Sequence, residues 1–161
     1  MDKIQTTLLL GLMDNKLLLA MKKRGFGAGK YNGVGGKLEL GETPEAAMLR
    51  EAEEEIKIVP TKYYKVGEIE FLEYYKGERI NLVFHLFVTT AWLGEPTETD
   101  EMKPEWFDVN QIPYDQMFPD DKYWLPYLLD GHRFNAFFDF DEDWNVKAFQ
   151  IELLDKEAIL E

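Results

Sequence analysis

Cysteine is missing from all 161 residues, so disulfides, thiolate metal sites and cysteine nucleophiles are excluded. That absence fits a reducing compartment, and a cytoplasmic protein is the expectation. Long apolar runs are missing as well: none reaches the roughly 18–20 residues that a membrane-spanning helix needs. The stretch from Thr7 to Met13 is apolar, but Asp14-Asn15 interrupts it and no small-residue cleavage site follows. Neither a membrane span nor a signal peptide is expected. Positive charge is scarce, since 18 Lys and Arg against 31 Asp and Glu leave a net charge of −13. A surface of that sign repels duplex nucleic acid, whose binding depends on cations set against phosphates. A phosphate-bearing ligand would have to be small and complexed with a cation that inverts the local field. The one dense basic run is Lys22-Lys23-Arg24, and Lys22 is read as its inward member.

What is present suits one compact domain over residues 1–161, with 45% hydrophobic residues to fill a core. Residues 4–13 and 17–22 read as a β-hairpin around Asp14-Asn15-Lys16. From Gly25 to Gly41 the chain is dense in glycine, with Phe26, Tyr31, Val34 and Leu38 interleaved. Those apolar residues are wrong for a solvated linker and suit tight turns with backbone brought close to a ligand. Residues 63–75 and 80–91 read as two long strands, and Trp106-Phe107 as a short one. Residues 115–130 combine a Pro-bounded turn with a helical pattern, and 134–151 read as a last hairpin around Asp141-Glu142-Asp143. Residues 152–161 are expected to form a short helix or a tail. His85, in an apolar run, is read as a buried structural histidine.

A helix is signalled from Thr43 to Ile56. Thr43 is a good N-cap, Pro44 suits the first helical position, Glu45 favours the positive end of the dipole, and Pro60 forbids continuation. At about 100° per residue, Met48, Leu49, Ala52 and Ile56 share one face. Glu51, Glu54 and Glu55 fall on the adjoining face at i, i+3 and i+4. Like charges at that spacing destabilise a bare helix by roughly 0.2–0.5 kcal/mol per pair. Around a hard divalent cation the same carboxylates become favourable. Taken alone, the glutamates also fit a solvated acidic face.

The wider pattern carries a resemblance. Gly36-Lys37-Leu38-Glu39-Leu40-Gly41-Glu42, followed after seven residues by Arg50-Glu51-Ala52-Glu53-Glu54-Glu55, resembles the Nudix box. Ile58 supplies the final apolar position of that motif. Two positions depart from it: Ala52 replaces a larger aliphatic residue, and Lys57 replaces a glycine, so a different path out of the helix is expected. The resemblance implies a Nudix hydrolase of mixed α and β class, an α/β/α sandwich around a mixed β-sheet. The acidic helix would lie on one face and the 120s helix on another. It further implies that Glu51, Glu54 and Glu55 hold Mg2+, or Mn2+ in its place, together with the Gly36 carbonyl. Glu101 would assist the metal or the water, and an Arg50–Glu42 ion pair would lock loop to helix.

The similarity extends beyond the box. Met21 to Gly29, Trp106-Phe107 and Pro119 to Trp124 resemble the MutT-like branch of the family, whose animal members hydrolyse oxidised purine nucleoside triphosphates and so sanitise the nucleotide pool. By that resemblance Asn32, Asp120 and Asp121 read the purine edge. Phe26, Phe71 and Trp124 line the pocket, with Thr7, Lys22 and Leu82 around it, and Phe118 stands where a stacking tryptophan is usual. The residues between the middle strands, Glu73 to Arg79, form a slightly longer loop than usual. Independently of any family, two adjacent carboxyls in an apolar pocket cannot both ionise cheaply, so one pKa should rise. Pro119-Asp120-Asp121 also fits an ordinary turn and N-cap. The implied partner is a small nucleoside triphosphate, with no nucleic acid or membrane, and the chain is expected to be a monomer. The rivals are a broader Nudix pyrophosphatase and a nucleotide-binding module without catalysis.

Overall fold

The computed structural model describes residues 2–156, and its strands follow the turn chemistry of the sequence. β1 (Lys3–Met13) and β2 (Lys16–Lys22) form the expected antiparallel hairpin. Asp14 and Asn15 between them take φ of 54° and 60°, the left-handed pair whose twist matches two flanking strands. β4 (Val59–Tyr75) and β5 (Glu78–Leu93) meet at the same kind of turn, with φ of 51° at Lys76 and 79° at Gly77. The first strand ends at Tyr75 as expected, and the connection within Glu73–Arg79 shrinks to Lys76-Gly77 because Glu78 and Arg79 already belong to β5. Glu73, Tyr74 and Tyr75 pair with Ile80, Arg79 and Glu78 across it.

β3 (Tyr31–Asn32), β6 (Met102–Asp108), β7 (His132–Phe140) and β8 (Val146–Lys156) complete a mixed sheet ordered β3-β2-β1-β5-β4-β7-β8, with β6 on β2. β1 runs parallel to β5 and β4 parallel to β7. Residues 152–156, expected as helix or tail, instead extend β8, because His132, Arg133 and Phe134 offer them ladder partners. The rest of that expectation, 157–161, lies outside the described residues.

α1 (Pro44–Ile56) begins where its signals place it, with Thr43 Oγ1 accepting a hydrogen bond from Ala46 N–H at 3.1 Å. It ends at Lys57, which takes the left-handed conformation (φ 64°, ψ 35°) that a glycine adopts freely. Lys57 thus leaves the helix in a conformation that suits glycine, as a strained lysine. α2 (Asp121–Leu129) follows a 3-10 turn at Tyr114–Gln116. Strand side chains alternate between faces. Leu8, Leu10, Leu17 and Leu19 pack with Trp124, Leu125 and Leu128 of α2, whereas Leu9, Leu18 and Ala20 pack with Met48, Ala52 and Ile56 of α1. The helices cover opposite faces of the sheet, which is why Leu8-Leu9-Leu10 is buried without interruption. His85 ties three strands together, with Lys65 Nζ 2.8 Å from its Nδ1 and Gln5 Oε1 2.7 Å from its Nε2. Burial first, then Lys65, lowers its pKa, in keeping with a neutral structural histidine.

Candidate active site

Arg50 anchors the glycine-rich loop to α1. Its Nε donates to Glu42 Oε2 at 2.7 Å and its Nη2 to Glu42 Oε1 at 2.9 Å, a two-pronged contact, and Nη2 also reaches the Lys37 carbonyl at 3.3 Å. The guanidinium, aided by the Glu39 N–H, holds the Glu42 carboxyl down to about 2. Close approach then dictates glycine at two positions. A Cβ on Gly35 would sit 1.9 Å from the Thr7 carbonyl oxygen, and one on Gly36 2.6 Å from Glu51 Oε1. The loop backbone is pressed between β1 and the carboxylates of the helix.

The four glutamates occupy different surroundings. Glu55 is 3% exposed and accepts a hydrogen bond from Gly35 N–H at 2.9 Å. Burial first, then the neighbouring Glu51 and Glu101 charges, push its carboxyl up to about 8. Glu51 lies against Gly36 and 2.9 Å from Arg50 Nη1. Glu54 turns to the same guanidinium at 3.2 Å and is 56% exposed. Glu101 is exposed, 3.9 Å from Arg24. Among the described residues no three acidic or histidine side chains converge into a finished cation cage, so the helical spacing alone does not assemble one. The donor chemistry still fits a hard divalent cation, which takes a few oxygen ligands and completes its shell with waters and substrate phosphates. The Glu51 and Glu55 carboxyls and the Gly36 carbonyl, itself bonded to Thr7 N–H at 2.9 Å, offer such oxygens. A cation among them would favour the ionised form of Glu55.

A cavity of about 350 Å³ adjoins this loop, with Gly35 and Gly36 in its wall. Thr7, Lys22, Phe26, Asn32, Phe71, Leu82, Phe118, Asp120, Asp121 and Trp124, ten positions scattered over the sequence, all line it. Lys23 and Arg24 instead pair with Glu98 and Glu101, leaving Lys22 as the inward member of the basic run. Asp120 sits at the start of α2 without capping it. Its Oδ2 accepts from Trp124 Nε1 at 2.8 Å, while Asp121 Oδ2 accepts from Phe118 N–H at 3.2 Å. Both carboxyls are buried. Burial pushes Asp120 up to about 6, and burial together with the Asp120 charge pushes Asp121 well above the usual range. Asn32 Oδ1 is taken by Gly33 N–H at 2.8 Å, which leaves its amide NH2 to donate. Phe26 and Phe118 stack 6.1 Å apart at the cavity wall.

Several wall residues went unread in the sequence. Ile69 and Glu73 follow from Phe71 by the strand period of two, and Phe84 from Leu82. Lys30, Lys37 and Phe140 carry no local signal. Neither does Trp144, which stands in the β7–β8 turn at φ 63° and packs 4.9 Å from Phe26. Tyr123, next to Trp124 in sequence, packs on Phe138 and Phe149 and does not line the cavity. One helical step separates it from Trp124 and turns it away.

Comparison with known proteins agrees with this geometry. The NUDIX domain family matches residues 3–128. An oxidized purine nucleoside triphosphate hydrolase from Danio rerio is 46% identical over 83% of this chain and 85% of its own length. One of the same description from Mus musculus is 40% identical over 92% and 94%. The crystal structure of a mutator MutT protein from Bacillus halodurans superposes with a TM-score of 0.81 at 22% identity, covering 92% of this chain and 97% of that one, which speaks for the fold. Hydrolases of this group generally use divalent metal ions and act on small nucleotide substrates. The box from Gly36 to Ile58, the sandwich that presents it and these relatives agree, and the chain belongs to the Nudix family of hydrolases.

Proposed function

We propose that the chain hydrolyses oxidised purine nucleoside triphosphates, 8-oxo-dGTP and 2-hydroxy-dATP among them, to the monophosphate and pyrophosphate with Mg2+, for which Mn2+ can substitute. The observation that carries this reading is the buried Asp120–Asp121 pair in the wall of an aromatic cavity that opens beside Gly35-Gly36 and the acidic helix. The relatives from Danio rerio and Mus musculus, named as hydrolases of oxidised purine nucleoside triphosphates, support it.

The roles follow from the chemistry of each group. Burial and mutual repulsion favour a proton shared by the Asp pair, so a protonated carboxyl donates to a carbonyl or ring nitrogen while an ionised one accepts from a ring N–H or an amino group. Moving that proton lets one pocket take both oxidised guanine and oxidised adenine. The Asn32 amide donates to a further acceptor, and Phe26, Phe118 and Trp124 offer apolar faces to the base, worth roughly 1–3 kcal/mol per stacked base. Lys22, Lys30 and Lys37, also on the wall, supply positive charge to the triphosphate. Glu51, Glu54 and Glu55 with the Gly36 carbonyl, assisted by Glu101, would hold Mg2+, whose chemistry is to neutralise the polyphosphate and activate water. Arg50 and Glu42 keep the loop carrying Gly36 against the helix carrying those acids.

The test is a substrate panel with Mg2+ and pyrophosphate detection. kcat/KM for 8-oxo-dGTP should exceed that for dGTP by about tenfold or more, since a site built around hydrogen-bonding groups rejects bases that leave them unpaired. Equal values would make the chain a broad nucleotide pyrophosphatase. Absence of pyrophosphate from every triphosphate would make it a binding module.

A further inference from the structure

Glu73 is a cavity carboxyl with no part in the Nudix box or in the Asp pair. It stands on β4 two residues beyond Phe71, so both side chains project from the same face of the sheet, and it pairs with Ile80 of β5. It shares the cavity wall with Asn32, Asp120 and Asp121 and is 8% exposed. Among the described residues no hydrogen bond and no ion pair reaches its carboxyl. Among the described residues the fully buried side-chain atom without a partner is Asn81 Oδ1, so the Glu73 oxygens are not sealed inside the protein, and the side chain lines the cavity.

A buried carboxyl without a partner opposes folding, whether ionised or neutral. Nothing in the packing asks for one at this position. Ile69 and Phe71 precede it on the same face, and Ile80 and Leu82 stand on the adjoining strand, so a leucine would suit the wall better. A group that the fold disfavours and leaves unpaired, facing the space a ligand enters, has its partner in that ligand. We propose that Glu73 is a specificity-determining residue, a third base-reading carboxyl that accepts a hydrogen bond from a purine N–H and restricts the site to bases presenting a donor on the edge that faces β4. The inference rests on the nucleotide reading above and names a residue that selects among substrates. Three carboxyls around one base offer mostly acceptors, and the Asn32 amide offers the donor that complements them.

The experiment compares wild type, Glu73→Leu and Glu73→Gln for kcat/KM on 8-oxo-dGTP, 2-hydroxy-dATP, dGTP and dATP with Mg2+, and for Tm without nucleotide. Glu73→Leu should melt at or above the wild-type temperature while kcat/KM for the preferred triphosphate falls about 10–100-fold, chiefly through KM. The ratio of preferred to disfavoured base should change by about tenfold. Glu73→Gln keeps an acceptor and should lose less, and it carries the same comparison should the leucine variant fail to fold. A wild type that discriminates among the four, beside variants that discriminate to the same degree, overturns the role of Glu73 alone. A wild type that hydrolyses none of the four overturns the nucleotide reading, and this inference with it.

Discussion

Glu55 differs from Glu51 and Glu54 in that a backbone N–H, not the Arg50 guanidinium, sets its position. The Gly35 N–H bonds it at 2.9 Å, and the loop holding Gly35 is fastened in turn by Arg50 to Glu42. Glu55→Gln preserves both shape and that hydrogen bond, because the amide oxygen accepts where the carboxylate did. It removes only the charge a cation would need. Turnover should fall on the order of 10²–10³-fold, with circular dichroism and Tm unchanged; activity near wild type would move the metal site off this residue. The cluster of glutamates was legible in the sequence because i, i+3, i+4 spacing is a property of any helix. The engagement of Glu54 by Arg50 was not, since that guanidinium chooses among Glu42, Glu51 and Glu54 only once the loop is folded beside it.

At the scale of elements, α1 shows local rules and one local conflict. Its cap at Thr43 and its end before Pro60 were readable from residue types alone. Lys57 follows the helix in a left-handed conformation that disfavours side chains bearing a Cβ by roughly 1–2 kcal/mol, offset in part by the greater freedom glycine has when unfolded. Lys57→Gly should therefore stabilise the protein by about 0.5–1 kcal/mol, raising Tm by a few degrees, whereas Lys57→Ala should leave it unchanged. An equal gain in both variants would mean that the lysine side chain, not its backbone, is at fault. The elements misread in the sequence were those defined by partners. Residues 78–79 and 152–156 carry polar residues suited to loops, yet they are strand because β4 and β7 each present a free ladder to pair with.

Among the described residues three of the four buried acids, Glu73, Asp120 and Asp121, line one cavity, and this shapes the response to pH. Asp120 (about 6), Asp121 (well above the usual range) and Glu73 (about 7) all hold their protons more tightly when folded. Unfolded carboxyls titrate near pH 4, so the stabilisation is complete below about that value and is lost as pH rises through the folded ones. His85 runs the opposite way. Its folded pKa is depressed, so its contribution is present above about pH 6.5 and lost on acidification. Above pH 6.5 the carboxyls dominate. In chelator, and in the Glu55→Gln background that removes the other raised acid, the free energy of unfolding should fall between pH 6.5 and 8.5. The slope has an upper bound of about 1.4 kcal/mol per pH unit for each proton released. Asp121→Asn should flatten the profile, and a wild-type curve that rises over this range would contradict the protonated pair.

The sequence by itself determined the acidic helix with its caps, the hairpin turns, the glycine-rich loop and the family motif, because each depends on residues close along the chain. Tertiary structure decided which of those pieces share a cavity. Asn32, Phe71, Asp121 and Trp144 come from a loop-edge strand, the middle of the sheet, the start of α2 and a distant turn, and their meeting depends on strand order and parallel pairing. Glu73 shows the difference most plainly: alternation along β4 places it on the face of Phe71, but only the packing of α2 over that face makes it a buried acid in the cavity wall.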